Sequence, residues 1–208
     1  NIIRSGLVFN MDAANRKSYP KTGTTATDTV SNNVGTLNST TFENVNNGVF
    51  NFDGSDDYIS FTTIALSSEF TISSWVNPTN LGSNTSTIIN TGTSNQNRVG
   101  IYDSSNIQVK ASGTNVFLTE SGGNDFGEDA WQHVLIVRDN SNNITAFRNG
   151  LPFGSSTTLS GTLTLDSIFR FNTNAYSAGK LANTHIYNRA LSSTEVLHNY
   201  NALKGRFE

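Results

Sequence analysis

The chain has 208 residues, 35% hydrophobic and 14% charged, with a net charge of −3 and no cysteine. This excludes a disulfide frame, a cysteine–zinc site and a thiol nucleophile. It also leaves no basic footprint for nucleic acid, and no apolar run approaches the roughly 20 residues that span a bilayer. Polarity comes instead from 29 Asn, 25 Ser and 26 Thr, with Thr favouring strands and Asn and Ser favouring turns. Few Glu, Lys, Arg and Ala remain to build long helices.

Short apolar or alternating runs recur between turn signals, the pattern of a β-sandwich. Gly6–Asn10 is the first. Ser18–Asn33 reads as an exposed loop, and Val34–Asn38 and Gly48–Phe52 as strands. Asp53–Asp57 is a tight polar turn into Tyr58–Thr62. Phe70–Asn77 alternates clearly: Phe70, Ile72, Ser74 and Val76 take one face, Thr71, Ser73 and Trp75 the other. Pro78 ends the run. Strands follow at Thr87–Asn90, Val99–Tyr102, Ile107–Lys110 and Asn115–Leu118. Trp131–Asp139 is apolar on both faces over Val134–Val137, as a central strand is. Asn149-Gly150 is a two-residue hairpin turn between Ile144–Arg148 and Leu151–Phe153. Ser167–Asn172 and Leu181–Asn188 complete the strands. The one helix closes the sequence: Ser192 as N-cap with Glu195 three residues on forms a capping box, and Leu191 and Val196 staple it. Val196, Leu197, Tyr200 and Leu203 share its apolar face, and Gly205 stops it. The expected fold is all-β, a two-sheet antiparallel jelly-roll sandwich with one short C-terminal α-helix, a single domain over residues 1–208. Asn1–Gly6 has no initiator Met and no signal-peptide pattern, so a segment cut from a longer chain is expected.

Five segments, Gly6–Pro20, Phe50–Phe61, Phe70–Pro78, Trp131–Gly150 and Ile186–Phe207, together resemble the concanavalin A-like lectin/glucanase superfamily, and within it the laminin G-like jelly rolls. The first and last are also similar to segments of bacteriophage tail, fibre and capsid-associated proteins. The resemblance implies a non-catalytic, surface-exposed binding domain of a virion structural protein whose ligand is a host-surface glycan. Two alternatives stand beside it. One is an assembly or decoration module that binds neighbouring virion subunits in a homo-oligomeric assembly; the other is a secreted bacterial adhesion module.

The residues agree that catalysis is not expected. Superfamily glucanases carry Glu-x-Asp-x-x-Glu on one strand face, and none of the six Glu here begins that spacing. The three His have no ligand spacing, and no Gly-x-Ser-x-Gly elbow is present. His133 is expected inside the sandwich with a backbone partner. Glu120, Asp125, Glu128 and Asp129 form either a cation-binding loop or a solvated acidic one. No cofactor is expected beyond a structural calcium. Relatives hold one where the first strand, a Phe-Asp-Gly turn and a late Gly-Lys-Ile-Asp-Asp segment meet. Asp12, Asp53 and Asn183 are the matching positions, but Ala182 and Asn183 replace the late carboxylates, so a weak or absent metal is expected; Asp56 and Asp57 serve equally as turn formers. For sugar, Trp75 with Thr71 and Ser73 is the candidate, an indole among hydroxyls on a sheet face. The alternative is a covering loop that makes Trp75 core.

Overall fold

The computed structural model describes residues 1–81, 86–122 and 125–208. Two antiparallel sheets stack face to face. Sheet I runs Leu151–Thr158, Asn143–Arg148, Gln132–Arg138, Phe70–Pro78, Ala178–Tyr187, Val49–Asp53, Thr41–Glu43, with Leu7–Asp12 pairing the far part of Ala178–Tyr187. Sheet II runs Thr114–Thr119, Asn106–Ala111, Arg98–Asp103, Ser86–Asn90, Leu163–Ile168, Tyr58–Leu66, Val34–Asn38, Thr25–Thr27. A small ribbon pairs Arg170–Asn172 with Ala175–Tyr176. The expected jelly-roll sandwich is present.

Alternation decides which side chains fill the space between the sheets. Phe50, Phe52, Phe70, Ile72 and Val76 point inward from sheet I and meet Ile59, Val99, Ile101, Ile107 and Leu165 of sheet II. Every residue of Gln132–Arg138 is buried, as a central strand should be. Its last residue, Arg138, is fully buried with no carboxylate partner among the described residues. Its guanidinium donates to the carbonyls of Leu66, Ser68 and Gly161 and lies 4.6 Å from the centre of the Phe70 ring, so the charge is hydrogen-bonded although unpaired. Asn149 and Gly150 both take positive φ, and Arg148 pairs Leu151 across the turn as its sequence requires.

Three expectations are corrected. Ser18–Asn33 is not an exposed loop: Thr25–Thr27 forms the edge of sheet II, and Ser18, Tyr19, Ala26 and Asp28 are buried. The Asp28 carboxylate gathers the N–H groups of Asn10, Val30 and Ser31, which lets a polar segment pack inward. The late strand lies at Leu163–Ile168 and breaks at Phe169, whose φ is +59°. The helix Ser193–Leu203 has its capping box, but Leu197 faces solvent while Asn199 is buried, accepting from Ile3 N–H and donating to the Tyr187 hydroxyl. Gly205 does not stop it, since a 3₁₀ turn over Lys204–Arg206 carries the chain through that glycine.

Candidate functional site

The outer face of sheet I is closed. The C-terminal helix and its tail lie across it, and Trp75 is 3% exposed. Its indole stacks on Phe207 at 4.2 Å and on Tyr200 at 5.6 Å. Thr71 and Ser73 are equally buried. The Thr71 hydroxyl donates to the Arg189 carbonyl and accepts from Leu191 N–H, tying the strand to the chain entering the helix. Ser73 Oγ is 2.8 Å from His133 Nε2. The expected sugar surface at Trp75, Thr71 and Ser73 is therefore an interior layer, covered by the returning tail rather than by a loop. His133 lies in this layer, not between the sheets, and its ring partner is a side chain. Burial pushes it down to about 3, helped by the neighbouring His185, which burial takes to about 4. Trp75 Nε1, His133 Nδ1 and the amide of Asn183 find no hydrogen bond among the described residues.

The family's calcium positions do not converge. Asp12 stands opposite Asn183, whereas Asp53 stands opposite Ala178, five residues away on the same strand, about 16 Å at the usual rise. The Asp12 carboxylate is already engaged by a cation of the chain. Arg206 donates to both its oxygens at 3.1 and 3.3 Å and to the carbonyls of Asn46 and Gly48 at 3.3 Å. Four oxygens of the kind calcium prefers thus surround a guanidinium, and this donor set does not fit a metal in addition. Asp53 gathers instead with Asp56 and Asp57, their oxygens within 4.8 Å of one another. Each is already bonded: Asp53 accepts from Ser55 N–H and Asp57 from Asp53 N–H within the turn, and Asp56 accepts from the Ser39 hydroxyl across to the neighbouring loop. In the acidic loop, Glu120 accepts from Ser121, Gly122 and Gly154 N–H groups, which hold its carboxyl below the ordinary value. Asp125 accepts from Ser105 and Glu128 from Leu81 N–H. These carboxylates fasten separate loop strands rather than share a centre.

Sheet II has no described helix over its outer face, and there a groove of about 370 Å³ opens. Ser60 and Thr62 form one wall, Thr93 another, and Asp166, Ser167 and Arg170 the floor and far side. Local backbone irregularity brings the two charges together. The pairing with Tyr58–Leu66 shifts register between Leu165 and Ser167, a bulge that re-aims Asp166. Phe169 then adopts its left-handed conformation while its ring stacks on Phe52 at 4.2 Å in the core, and the chain turns Arg170 outward. Asp166 Oδ1 accepts from Gly92 N–H at 2.6 Å, and Arg170 Nε donates to the Asn172 carbonyl at 3.0 Å. Asp166 Oδ2 and the two terminal nitrogens of Arg170 bond none of the described residues. The guanidinium lies 4.4 Å from the Tyr58 ring centre, and Tyr58 stacks on Tyr176 at 5.8 Å. A free carboxylate oxygen, a guanidinium fork and hydroxyls in one shallow cleft, with two tyrosines against the guanidinium at its margin, can bond the hydroxyls of a polyol. None of these residues was singled out from sequence, although Asp166 and Arg170 are the only charged residues between Arg148 and Lys180.

A two-sheet jelly roll with one face sealed by its own tail and a polar, aromatic-flanked groove on the other is the architecture of a lectin-like sandwich. The chain belongs to the concanavalin A-like lectin/glucanases superfamily, matching its Laminin_G_3 family profile over residues 53–197. No curated protein matches it in sequence. Among solved structures it is similar to domain 4 of AbnA, a GH43 extracellular arabinanase from Geobacillus stearothermophilus, in complex with arabinotriose. The TM-score is 0.72 and the identity 13%, covering 95% of this chain and 100% of that one. The receptor binding domain of botulinum neurotoxin type G gives a TM-score of 0.66 at 18% identity, covering 95% of this chain and 51% of that one. The binding domain of botulinum neurotoxin DC in complex with SialylT gives 0.70 at 14%, covering 95% of this chain and 52% of that one. The chain thus spans about half the length of the toxin domains it resembles.

Proposed function

We propose that the chain is a non-catalytic glycan-binding domain displayed on the surface of a phage virion protein, and that the Asp166–Arg170 groove holds the sugar. The observation that carries this reading is the pairing, in one groove on the outer face of sheet II, of an Asp166 carboxylate oxygen and an Arg170 guanidinium fork that bond none of the described residues, among hydroxyls. Two relatives in fold were determined with arabinotriose and SialylT bound, which supports a carbohydrate as the ligand class. The virion setting is supported by the likeness of the Gly6–Pro20 and Ile186–Phe207 segments to those of phage tail, fibre and capsid-associated proteins. An assembly role has one observation in its favour: Leu151, 60% exposed, and Leu197, 42% exposed, sit beside the Asn149-Gly150 turn and would suit a neighbouring subunit.

The test is a glycan array probed with the wild-type domain and with Asp166→Asn and Arg170→Ala. Wild type should bind and release no reducing ends from the bound glycan. Both variants should lose binding while staying folded: Asp166→Asn keeps an acceptor for Gly92 N–H and melts as wild type, whereas Arg170→Ala gives up the Asn172 bond and the Tyr58 contact and melts somewhat lower. Binding that survives both substitutions, or no bound glycan at all, would overturn the groove as the site.

A further inference from the structure

At one margin of sheet I the cover over the outer face is incomplete. A cavity of about 190 Å³ lies there between the two chain ends, walled by Arg4 and its N-terminal neighbours on one side and by Ala202 and Leu203 of the helix on the other. Asn10, Asp12 and His185 form its floor. Alternation along Leu7–Asp12 sends Phe9 and Met11 into the core and leaves Asn10 and Asp12 on the outer face. Strand register then sets Asn10 opposite His185.

Two of these floor residues are more than nine-tenths buried and incompletely bonded. Asn10 is 8% exposed. Its Nδ2 donates to the Thr29 hydroxyl at 2.8 Å, which fixes the amide, while Oδ1 finds no partner among the described residues. His185 is 3% exposed, and its ring makes no hydrogen bond among the described residues. Burial holds that ring neutral, at about 4, so it offers one N–H and one acceptor nitrogen. Buried polar groups are ordinarily bonded, and those left over call for something that completes them.

The charge around the cavity is also unbalanced. Asp12 is compensated by Arg206, which donates to both its oxygens. Arg4 has no such partner. Its guanidinium makes no hydrogen bond or ion pair among the described residues, yet it stands near enough to help lower the pKa of His185. Water can bond the amide and the ring but brings no charge to Arg4. A carboxylate would meet the guanidinium as a two-pronged acceptor, and a hydroxyl on the same molecule would donate to Asn10 Oδ1. The volume lies below the roughly 300–1,000 Å³ of pockets that hold drug-sized molecules, so the molecule is small.

We infer that this cavity is a second binding site, for a small free hydroxycarboxylate such as an open-chain sugar acid, with its carboxylate on Arg4 and a hydroxyl on Asn10 Oδ1. The site lies on the opposite sheet from the groove and does not depend on the glycan reading. Because its walls come from both chain ends, an occupant pins the N-terminal segment to the helix, and binding to the folded state alone raises stability.

The experiment titrates the domain with D-gluconate, and separately with sorbitol, which has the hydroxyls without the carboxylate, and hexanoate, which has the carboxylate without hydroxyls. The readouts are the NMR resonances of the Asn10 side-chain amide and the melting temperature. Gluconate should shift the Asn10 resonances saturably and raise the melting temperature with concentration. Sorbitol and hexanoate should each bind about tenfold or more weakly, since each lacks one of the two contacts. Arg4→Ala, at an exposed position, should reduce gluconate to the affinity of sorbitol. Ala202→Leu, also at an exposed position, should fill the cavity and abolish the shift. Both variants should stay folded. No shift of the Asn10 amide by gluconate, an equal response to sorbitol or hexanoate, or a gluconate response that either substitution leaves intact overturns the site.

Discussion

Trp75 shows how one side chain can be polar in its surroundings and structural in its role. Its strand neighbours on that face carry hydroxyls, but each hydroxyl is used internally, on Arg189, Leu191 or His133. The ring is held between Phe207 and Tyr200. Trp75→Ala should therefore cost about 3–5 kcal/mol, the usual cost of truncating a buried Trp. Chemical denaturation would show it as a lower midpoint, while glycan affinity of the folded fraction stays at the wild-type level. His133 and His185 in the same layer set an acid limit. Both are neutral in the fold, at about 3 and about 4, and would take up protons near 6.5 once exposed. Between those values the unfolded chain binds more protons than the folded one, so stability is full above pH 6.5 and falls as pH drops toward 4 and then 3. Melting temperatures measured from pH 8 to pH 4 should decline across this window, and His133→Gln with His185→Gln should flatten the decline.

At the scale of elements, much was legible. The alternation in Phe70–Pro78, the apolar run in Gln132–Arg138, the Asn149-Gly150 turn and the capping box each follow from local rules, and the structure has all four. Illegible was whatever depends on a distant segment returning. Nothing in Thr71, Ser73 and Trp75 says that residues some 125 positions later will cover them. The groove was half legible. Two isolated charges in an otherwise uncharged stretch are a visible signal, but their convergence depends on a bulge and on the positive φ of Phe169, which no periodicity encodes. The tail makes a prediction of its own through Arg206, whose guanidinium serves Asp12, Asn46 and Gly48 at once. Arg206→Ala should destabilise the domain by roughly 1–3 kcal/mol, the range for lost bonds to charged groups. Wild type should melt at the same temperature in EDTA as in calcium, because the protein's own cation already fills that place. A calcium-dependent rise in wild type would place a metal where none is expected.

The molecule as a whole has two unlike sides. Asn1 offers its carbonyl to His198, Ile3 bonds Asn199 and Tyr187, and Phe207 stacks on Trp75 and meets Trp131 at a tilt, so both chain ends rest against sheet I. The groove occupies the outer face of sheet II, with the hydrophobic core between. Anything joined to either end is thereby joined on the face opposite the groove. A tether to a larger particle would hold the domain by its back, as a handle holds a mirror, and turn the groove toward whatever approaches. The same geometry lets a label or carrier be fused at either terminus without shading the groove, and neighbouring copies could crowd side by side on a common support with every groove still directed outward.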